Sequence, residues 1–138
     1  MSESTKRASK VVTGSLWLSQ LLLAAVYLPA GLMKLMSPVA LVAQQIPWAA
    51  DVPEWFVRSI GLVDLAAGVG ILLPVLLRLV PQLTVFAALG SMLLQVCAMV
   101  FHAYRGEWMV LPFNGVIMLL SYWVWVGRRQ HTAMNSQQ

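Results

Sequence analysis

The hydrophobic positions of the chain fall into four long runs, at residues 14–35, 55–77, 82–101 and 108–127. Each run has about the 20 apolar residues that a helix needs to cross the hydrocarbon core of a bilayer. None alternates polar and apolar residues in the way that strands of a membrane barrel do. Because lipid offers the backbone no hydrogen-bonding partner, each run is predicted to be helical. The pattern therefore predicts an all-α membrane protein, folded as a four-helix transmembrane bundle.

The connections between the runs differ in length. Residues 78–81 and 103–107 are short enough to be tight turns, so the last three membrane helices should pack as antiparallel neighbours. These boundaries divide the chain into a basic N-terminus at residues 1–13, a transmembrane domain at residues 14–127 and a polar tail at residues 128–138.

The connection between the first two runs is longer and has signals of its own. Ser37-Pro38 is typical of a helix start, and Pro47 of a helix stop. We therefore predict a short interfacial helix over about residues 39–46. Asp51 and Glu54 have the spacing of a capping box that would begin the second membrane helix.

Composition supports a lipid environment. Charged residues make up 10% of the chain and hydrophobic residues 59%, against roughly 25% and 45–50% in soluble domains. Mean hydropathy is +0.76. Too few polar side chains remain to cover a surface in water. Cys97 is the only cysteine, which excludes an intramolecular disulfide and a cysteine metal cluster, and no metal is expected.

The basic residues are distributed unequally between the two sides of the predicted bundle. The side with both termini holds six of the nine, namely Lys6, Arg7, Lys10, Arg78, Arg128 and Arg129; the other side holds Lys34, Arg58 and Arg105. Because basic loops stay on the cytoplasmic side, both termini are predicted to be cytoplasmic, in a bacterial-type inner (plasma) membrane. The same placement explains the formal charge of +4 without a nucleic-acid partner.

Polar residues within a membrane span are costly and are candidates for function. Asp64 lies about 9 Å deeper than Arg58 along the second helix, at roughly 1.5 Å per residue. It is either a structural contact to a neighbouring helix or a group that handles protons or binds a ligand. Lys34, on one face of the first helix with Tyr27, either extends to the interface or pairs with Asp64.

Two further polar residues lie near helix ends. His102 closes the third span and is either a capping residue or a proton-exchanging group, since an ordinary histidine titrates near neutral pH. Asn114 lies about 9 Å into the fourth span, at roughly 1.5 Å per residue, and bonds another helix or a ligand. Together with Lys34 and Asp64, these residues place one polar group from each helix in the outer third of the bundle. They predict a pocket that opens to the periplasmic side, with Asp64 and His102 as catalytic candidates and Lys34, Asn114 and Tyr27 as ligand-binding candidates.

Several short motifs resemble the DoxX and DoxX-like membrane family. They are Gly31-Leu-Met-Lys34-Leu, Ile60-Gly61-x-x-Asp64-x-x-x-Gly68-x-x-x-x-Leu73-Pro74, Ala98 with His102, Arg105-Gly106-Glu107, and Asn114. The resemblance spans residues 14–127. The chain departs from the family pattern in having Asp64 where glutamate is more usual, and in having no arginine at the start of the first helix.

The resemblance implies a four-helix inner-membrane protein. Some relatives are described as membrane subunits of thiosulfate:quinone oxidoreductase, and others as partners of membrane or secreted proteins without chemistry of their own. Our leading hypothesis is a membrane subunit of a quinone-linked redox system, with a bound quinone and a soluble or membrane oxidoreductase partner. The alternatives are a non-enzymatic interaction or assembly protein and, third, a small-solute carrier that forms a homo-oligomer.

Overall fold

A computed structural model describes residues 2–135, and its regular elements are all helical. There are five α-helices: α1 (Glu3–Met36), α2 (Val39–Gln45), α3 (Glu54–Leu76), α4 (Gln82–Tyr104) and α5 (Leu111–Asn135). Short 3-10 turns, Pro47–Ala50 and Trp108–Val110, precede α3 and α5. The helices α1, α3, α4 and α5 are long and apolar enough to cross a membrane. The four-helix bundle and the short helix between its first two members are confirmed.

The four long helices pack as a ring in which α1 lies against α3, α3 against α4, α4 against α5 and α5 against α1. Buried apolar side chains fill the centre of the ring: Leu23, Tyr27, Ala67, Ile71, Ala88, Ile117 and Val124. Many large apolar side chains face outward instead, among them Leu62, Phe86, Leu93 and Leu119. An apolar exterior around a bundle is the surface that lipid requires.

A second apolar cluster covers one end of the bundle, which we call the α2 end. Its buried members are Val42, Trp48, Ala49 and Val57. The Trp48 ring meets the edges or faces of Phe56 and Phe101 in T-shaped contacts, with ring centroids 6.2 Å and 5.9 Å apart. These contacts hold residues 39–50 over the ends of α3 and α4.

The first and last helices extend beyond the predicted spans. The first begins at Glu3, where the Ser2 hydroxyl caps it by accepting from the Thr5 N–H. The last continues past residue 127 to Asn135, into the predicted polar tail, and Arg128 anchors this extension to the bundle. Its Nε donates a hydrogen bond to the side-chain oxygen of Gln20, Oε1, at 2.8 Å. Residues 136–138 of the predicted tail lie outside the described part.

The predicted capping box at the start of α3 is wrong. Pro53 precedes the helix, and no side chain caps it. The Asp51 carboxylate instead accepts from Arg105 across 2.6 Å, because an ion pair with the turn after α4 is within its reach. Asp51 therefore ties the segment before α3 to the end of α4.

Candidate functional site: a polar cavity at the α2 end of the bundle

A cavity of about 1130 Å³ lies at the α2 end, among all four long helices. The C-terminal halves of α1 and α4 and the N-terminal halves of α3 and α5 form its walls, and residues 45–48 and 106–110 form its outer rim. All five residues predicted as site candidates line it: Tyr27, Lys34, Asp64, His102 and Asn114. The structure therefore brings together side chains that are far apart in the sequence.

Lys34 and Asp64 form a buried ion pair. The Lys34 Nζ lies 2.7 Å from Asp64 Oδ2, and each side chain is 8% exposed. Of the two alternatives for Lys34, the structure therefore shows the pair rather than extension to the interface. Because a lone buried charge is strongly disfavoured, each partner compensates the cost of burying the charge of the other.

Two glycines bring the helices of this pair together. A Cβ at Gly31 would lie 2.8 Å from the Leu65 nitrogen and 2.9 Å from the Gly61 carbonyl oxygen. A Cβ at Gly61 would lie 2.8 Å from the Lys34 Cβ. Small residues let helix backbones approach closely in lipid. One turn beyond this contact, Lys34 is then close enough to reach Asp64.

Arg58 closes the end of α1 beside the pair. Its guanidinium donates to the carbonyl oxygens of Lys34 and Ser37, at 2.5 Å and 2.8 Å, and it also bonds Glu54. The last carbonyls of a helix have no partner within the helix, and a cation there also complements the helix dipole. Arg58 therefore fixes the C-terminal turn that presents Lys34.

A directed chain of hydrogen bonds crosses the floor of the cavity. The Ser121 hydroxyl donates to the Ile117 carbonyl oxygen, so Ser91 must donate to Ser121 across 2.7 Å. The Tyr27 hydroxyl, 2.6 Å from Ser91 Oγ, must in turn donate to Ser91. Tyr27 therefore accepts from Gln95 Nε2 at 2.8 Å. Since each hydroxyl has one hydrogen, a single direction satisfies every member.

This chain leaves one acceptor on Gln95 without a partner. Because the amide nitrogen of Gln95 bonds Tyr27, its Oε1 faces elsewhere, and this buried atom accepts no hydrogen bond from residues 2–135. The buried Nδ2 of Asn114 likewise donates to none of them. Both residues line the cavity. An unpaired buried polar group costs about 1–3 kcal/mol, so each of these two atoms has unused hydrogen-bonding capacity beside the cavity.

The rim of the cavity carries a second polar network. His102 Nδ1 lies 2.5 Å from Glu107 Oε2, and Arg105 Nε donates to the other oxygen of Glu107 at 2.7 Å. These hydrogen bonds hold the pKa of the Glu107 carboxyl below its ordinary value. The bond with His102 has the larger effect, and the bond with Arg105 the next. An ionised carboxylate only accepts, so Nδ1 carries a hydrogen and the Nε2 of His102 stays available.

Sequence reasoning missed the roles of Gln95 and Glu107. Gln95 shares a helix face with His102, and that spacing was its only signal. Glu107 belonged to a short family motif, with no indication that it contacts His102. Within residues 2–135, no group of three or more histidine, cysteine or acidic side chains is arranged to hold a metal ion.

Comparison with known proteins identifies the family. The model of the DoxX-like family matches residues 18–124, which include every helix wall of the cavity. No curated protein and no solved structure matches the chain significantly. The matched region covers well over half of the 138 residues, and four helices in it are candidate spans. The chain is therefore a multi-pass membrane protein that belongs to the DoxX-like family.

Proposed function

We propose that this protein is a membrane subunit of a quinone-linked redox system and that the cavity binds a quinone head group. One observation carries the proposal. A buried acceptor, Gln95 Oε1, and a buried donor, Asn114 Nδ2, both lack partners among residues 2–135 and belong to residues that line the same cavity. The Lys34–Asp64 pair and His102 line it too.

The polar groups suit both redox states of a quinone. A quinone presents carbonyl oxygens, which only accept, and Asn114 Nδ2 can donate to one of them. A quinol presents hydroxyls that also donate, and Gln95 Oε1 can accept from one. A bound quinone would supply the redox chemistry, taking two electrons and two protons in its reduction. The electrons would come from a partner oxidoreductase subunit.

The remaining wall suits the rest of such a ligand. Most of it is apolar, including Val26, Leu94, Phe113 and Ile117. Binding cavities for small molecules usually combine an apolar lining with a few convergent polar groups and have volumes of about 300–1,000 Å³. This cavity has about 1130 Å³, which leaves space for a substituted ring and the first part of an isoprenoid tail.

His102 and Glu107 are suited to proton exchange at the rim. The carboxylate of Glu107 holds the imidazole through Nδ1, which leaves Nε2 available for a hydrogen bond to water or to a ligand. Because both side chains are partly exposed, at 12% and 25%, a proton has a short path from the outside to the cavity.

Quinone retention tests the proposal. We expect Asn114→Leu and Gln95→Leu to lower the quinone that copurifies with the protein by about tenfold each, since one hydrogen bond to a buried group is worth about 1.5 kcal/mol. The measurement is quinone per protein after extraction in a mild detergent. Thr84→Val is the matched control, because Thr84 Oγ1 is another buried atom without a partner within residues 2–135, and this residue does not line the cavity.

Two results would contradict the quinone proposal. One is wild-type protein that retains no quinone from membranes that contain it. The other is equal loss in Thr84→Val and in the two cavity variants, which would indicate a general effect on the fold.

A second candidate function is interaction or assembly without chemistry. The α2 end favours it through large side chains that protrude there, with Tyr104 91% and Met109 93% exposed. In this case the ion pair and the networks only fix helix packing. Quinone-reductase activity that is equal with wild type, Asp64→Asn and His102→Ala, at matched protein levels, would favour this candidate.

We also propose that the protein lies in a bacterial-type plasma membrane with both termini cytoplasmic, so that the cavity opens to the periplasm. The surplus of basic residues on the side of the termini supports this orientation. Phosphatase fusions, active only outside the cytoplasm, are expected to be inactive at the C-terminus and active within residues 46–53. High activity of the C-terminal fusion would reverse the orientation.

A further inference from the structure

A second, smaller cavity of about 390 Å³ lies at the opposite end of the bundle, between the end of α3 and the last turns of α5. Arg78, Arg128 and His131 line it. No acidic side chain is among the described residues that line it. The cavity is thus a concentration of positive charge at the end where most basic residues of the chain lie.

Arg128 is fixed in this cavity by a buried amide. Its Nε donates to Gln20 Oε1 at 2.8 Å, and Gln20 is fully buried. The other end of the same amide, Nε2, donates to the Ile71 carbonyl oxygen at 2.6 Å. Gln20 is neutral, so it orients the guanidinium without neutralising its charge. The Trp17 ring, 5.1 Å from the guanidinium carbon, holds it from another side.

Arg78 occupies a backbone position that normally favours glycine. The Leu79 N–H bonds the Pro74 carbonyl and the Arg78 N–H bonds the Val75 carbonyl, which is the Schellman pattern at a helix C-terminus. Arg78 has a φ of +53°, in the left-handed region. Its side chain makes no ion pair or hydrogen bond with residues 2–135. Backbone strain at a side chain that has no partner among residues 2–135 makes Arg78 a candidate for binding a ligand.

We propose that this cavity binds a phosphate group and that the phosphate belongs to an anionic phospholipid. Guanidinium groups match the geometry of phosphate oxygens, and two arginines line this cavity with no acidic side chain among its described lining residues. Exposed apolar side chains close to Arg78 in the chain favour the lipid: Leu79 lines the cavity, and Leu76, Leu79 and Val80 are all more than half exposed. Acyl chains would lie against them while the head group enters the cavity.

Lipid binding by charge variants tests this site. In an uncharged detergent, native mass spectrometry would compare phosphatidylglycerol with phosphatidylcholine. We expect Arg78→Gln to lower the preference for phosphatidylglycerol about fivefold, the value of one arginine near an anionic lipid surface. Arg129→Gln is the matched control, because Arg129 lies at the same end, over Trp125, and does not line the cavity. Equal losses in the two variants, or no loss in Arg78→Gln, would overturn the proposal.

Two further measurements separate the possible explanations. Arg78→Gly is expected to raise the thermal midpoint without lipid, since glycine suits the left-handed conformation, and to lower the lipid preference as Arg78→Gln does. If Arg78→Gly lowers both the thermal midpoint and the lipid preference, Arg78 has only a structural role, and the lipid proposal is overturned. Inorganic phosphate that displaces the lipid at millimolar concentration, and depends on Arg78 in doing so, would assign the site to a soluble phosphate and overturn the lipid assignment.

Discussion

Lys34→Met is expected to destabilise the protein by about 3–5 kcal/mol, because it leaves the buried Asp64 carboxylate without its cation. Asp64→Leu should have a loss of similar size. The double variant Lys34→Met, Asp64→Leu should lose much less than the sum, since an apolar pair of similar volume replaces a buried ion pair at little cost. Reversible unfolding in detergent gives the free energies for this double-mutant cycle.

The control for this cycle is the exposed ion pair between Glu54 and Arg58. Glu54→Gln removes its carboxylate, which is 64% exposed, and exposed pairs contribute about 0–1 kcal/mol. Strictly additive losses of unfolding free energy for Lys34→Met and Asp64→Leu would show that the two charges do not interact in the cavity.

Gly31→Ala is expected to destabilise the bundle by about 1–3 kcal/mol, the usual cost of overpacking. Its Cβ would meet backbone atoms of Leu65 and Gly61 within 3 Å, and backbone cannot rotate away as a side chain can. The helices α1 and α3 should therefore separate, which lengthens the distance from Lys34 to Asp64. Thermal unfolding and the quinone content of the same preparation measure both consequences.

Gly90→Ala is the matched control for this substitution. Gly90 lies within α4, and a Cβ there would have nothing within 4 Å. Alanine in a helix interior is favoured over glycine by roughly 0.5–1 kcal/mol, so the control should be neutral or stabilising. A similar loss in both variants would show that the close contact of α1 with α3 is not what Gly31 provides.

The bundle and the positions of its polar residues were predictable, because both depend on depth along a helix. Run length identified the spans, and a rise of 1.5 Å per residue placed Asp64 and Asn114 at similar levels. The same arithmetic placed Lys34 near Asp64 but could not choose between a pair and an exposed lysine. That choice depends on how closely α1 approaches α3, which the contact of Gly31 with Gly61 decides.

Other features depend on contacts that no local pattern contains. Gln95 becomes an acceptor without a partner only because Tyr27, Ser91 and Ser121 come from three different helices and meet at one level. The capping-box prediction for Asp51 failed for a related reason: a favourable local spacing lost to an ion pair with Arg105, a residue far along the chain. The extension of α5 beyond residue 127 likewise includes a contact that no local pattern indicates, the hydrogen bond of Arg128 to Gln20 on another helix.

The directed chain on the cavity floor gives Tyr27 an influence on which ligand chemistry the site accepts. Its hydroxyl uses its only hydrogen on Ser91 and thereby fixes the Gln95 amide with nitrogen toward Tyr27. Without this hydroxyl, as in Tyr27→Phe, the amide is free to rotate by half a turn and to present its nitrogen to the cavity. The wall would then offer a hydrogen where it previously offered a lone pair. Through Gln95, Tyr27 thus selects between ligands that donate a hydrogen bond and ligands that accept one.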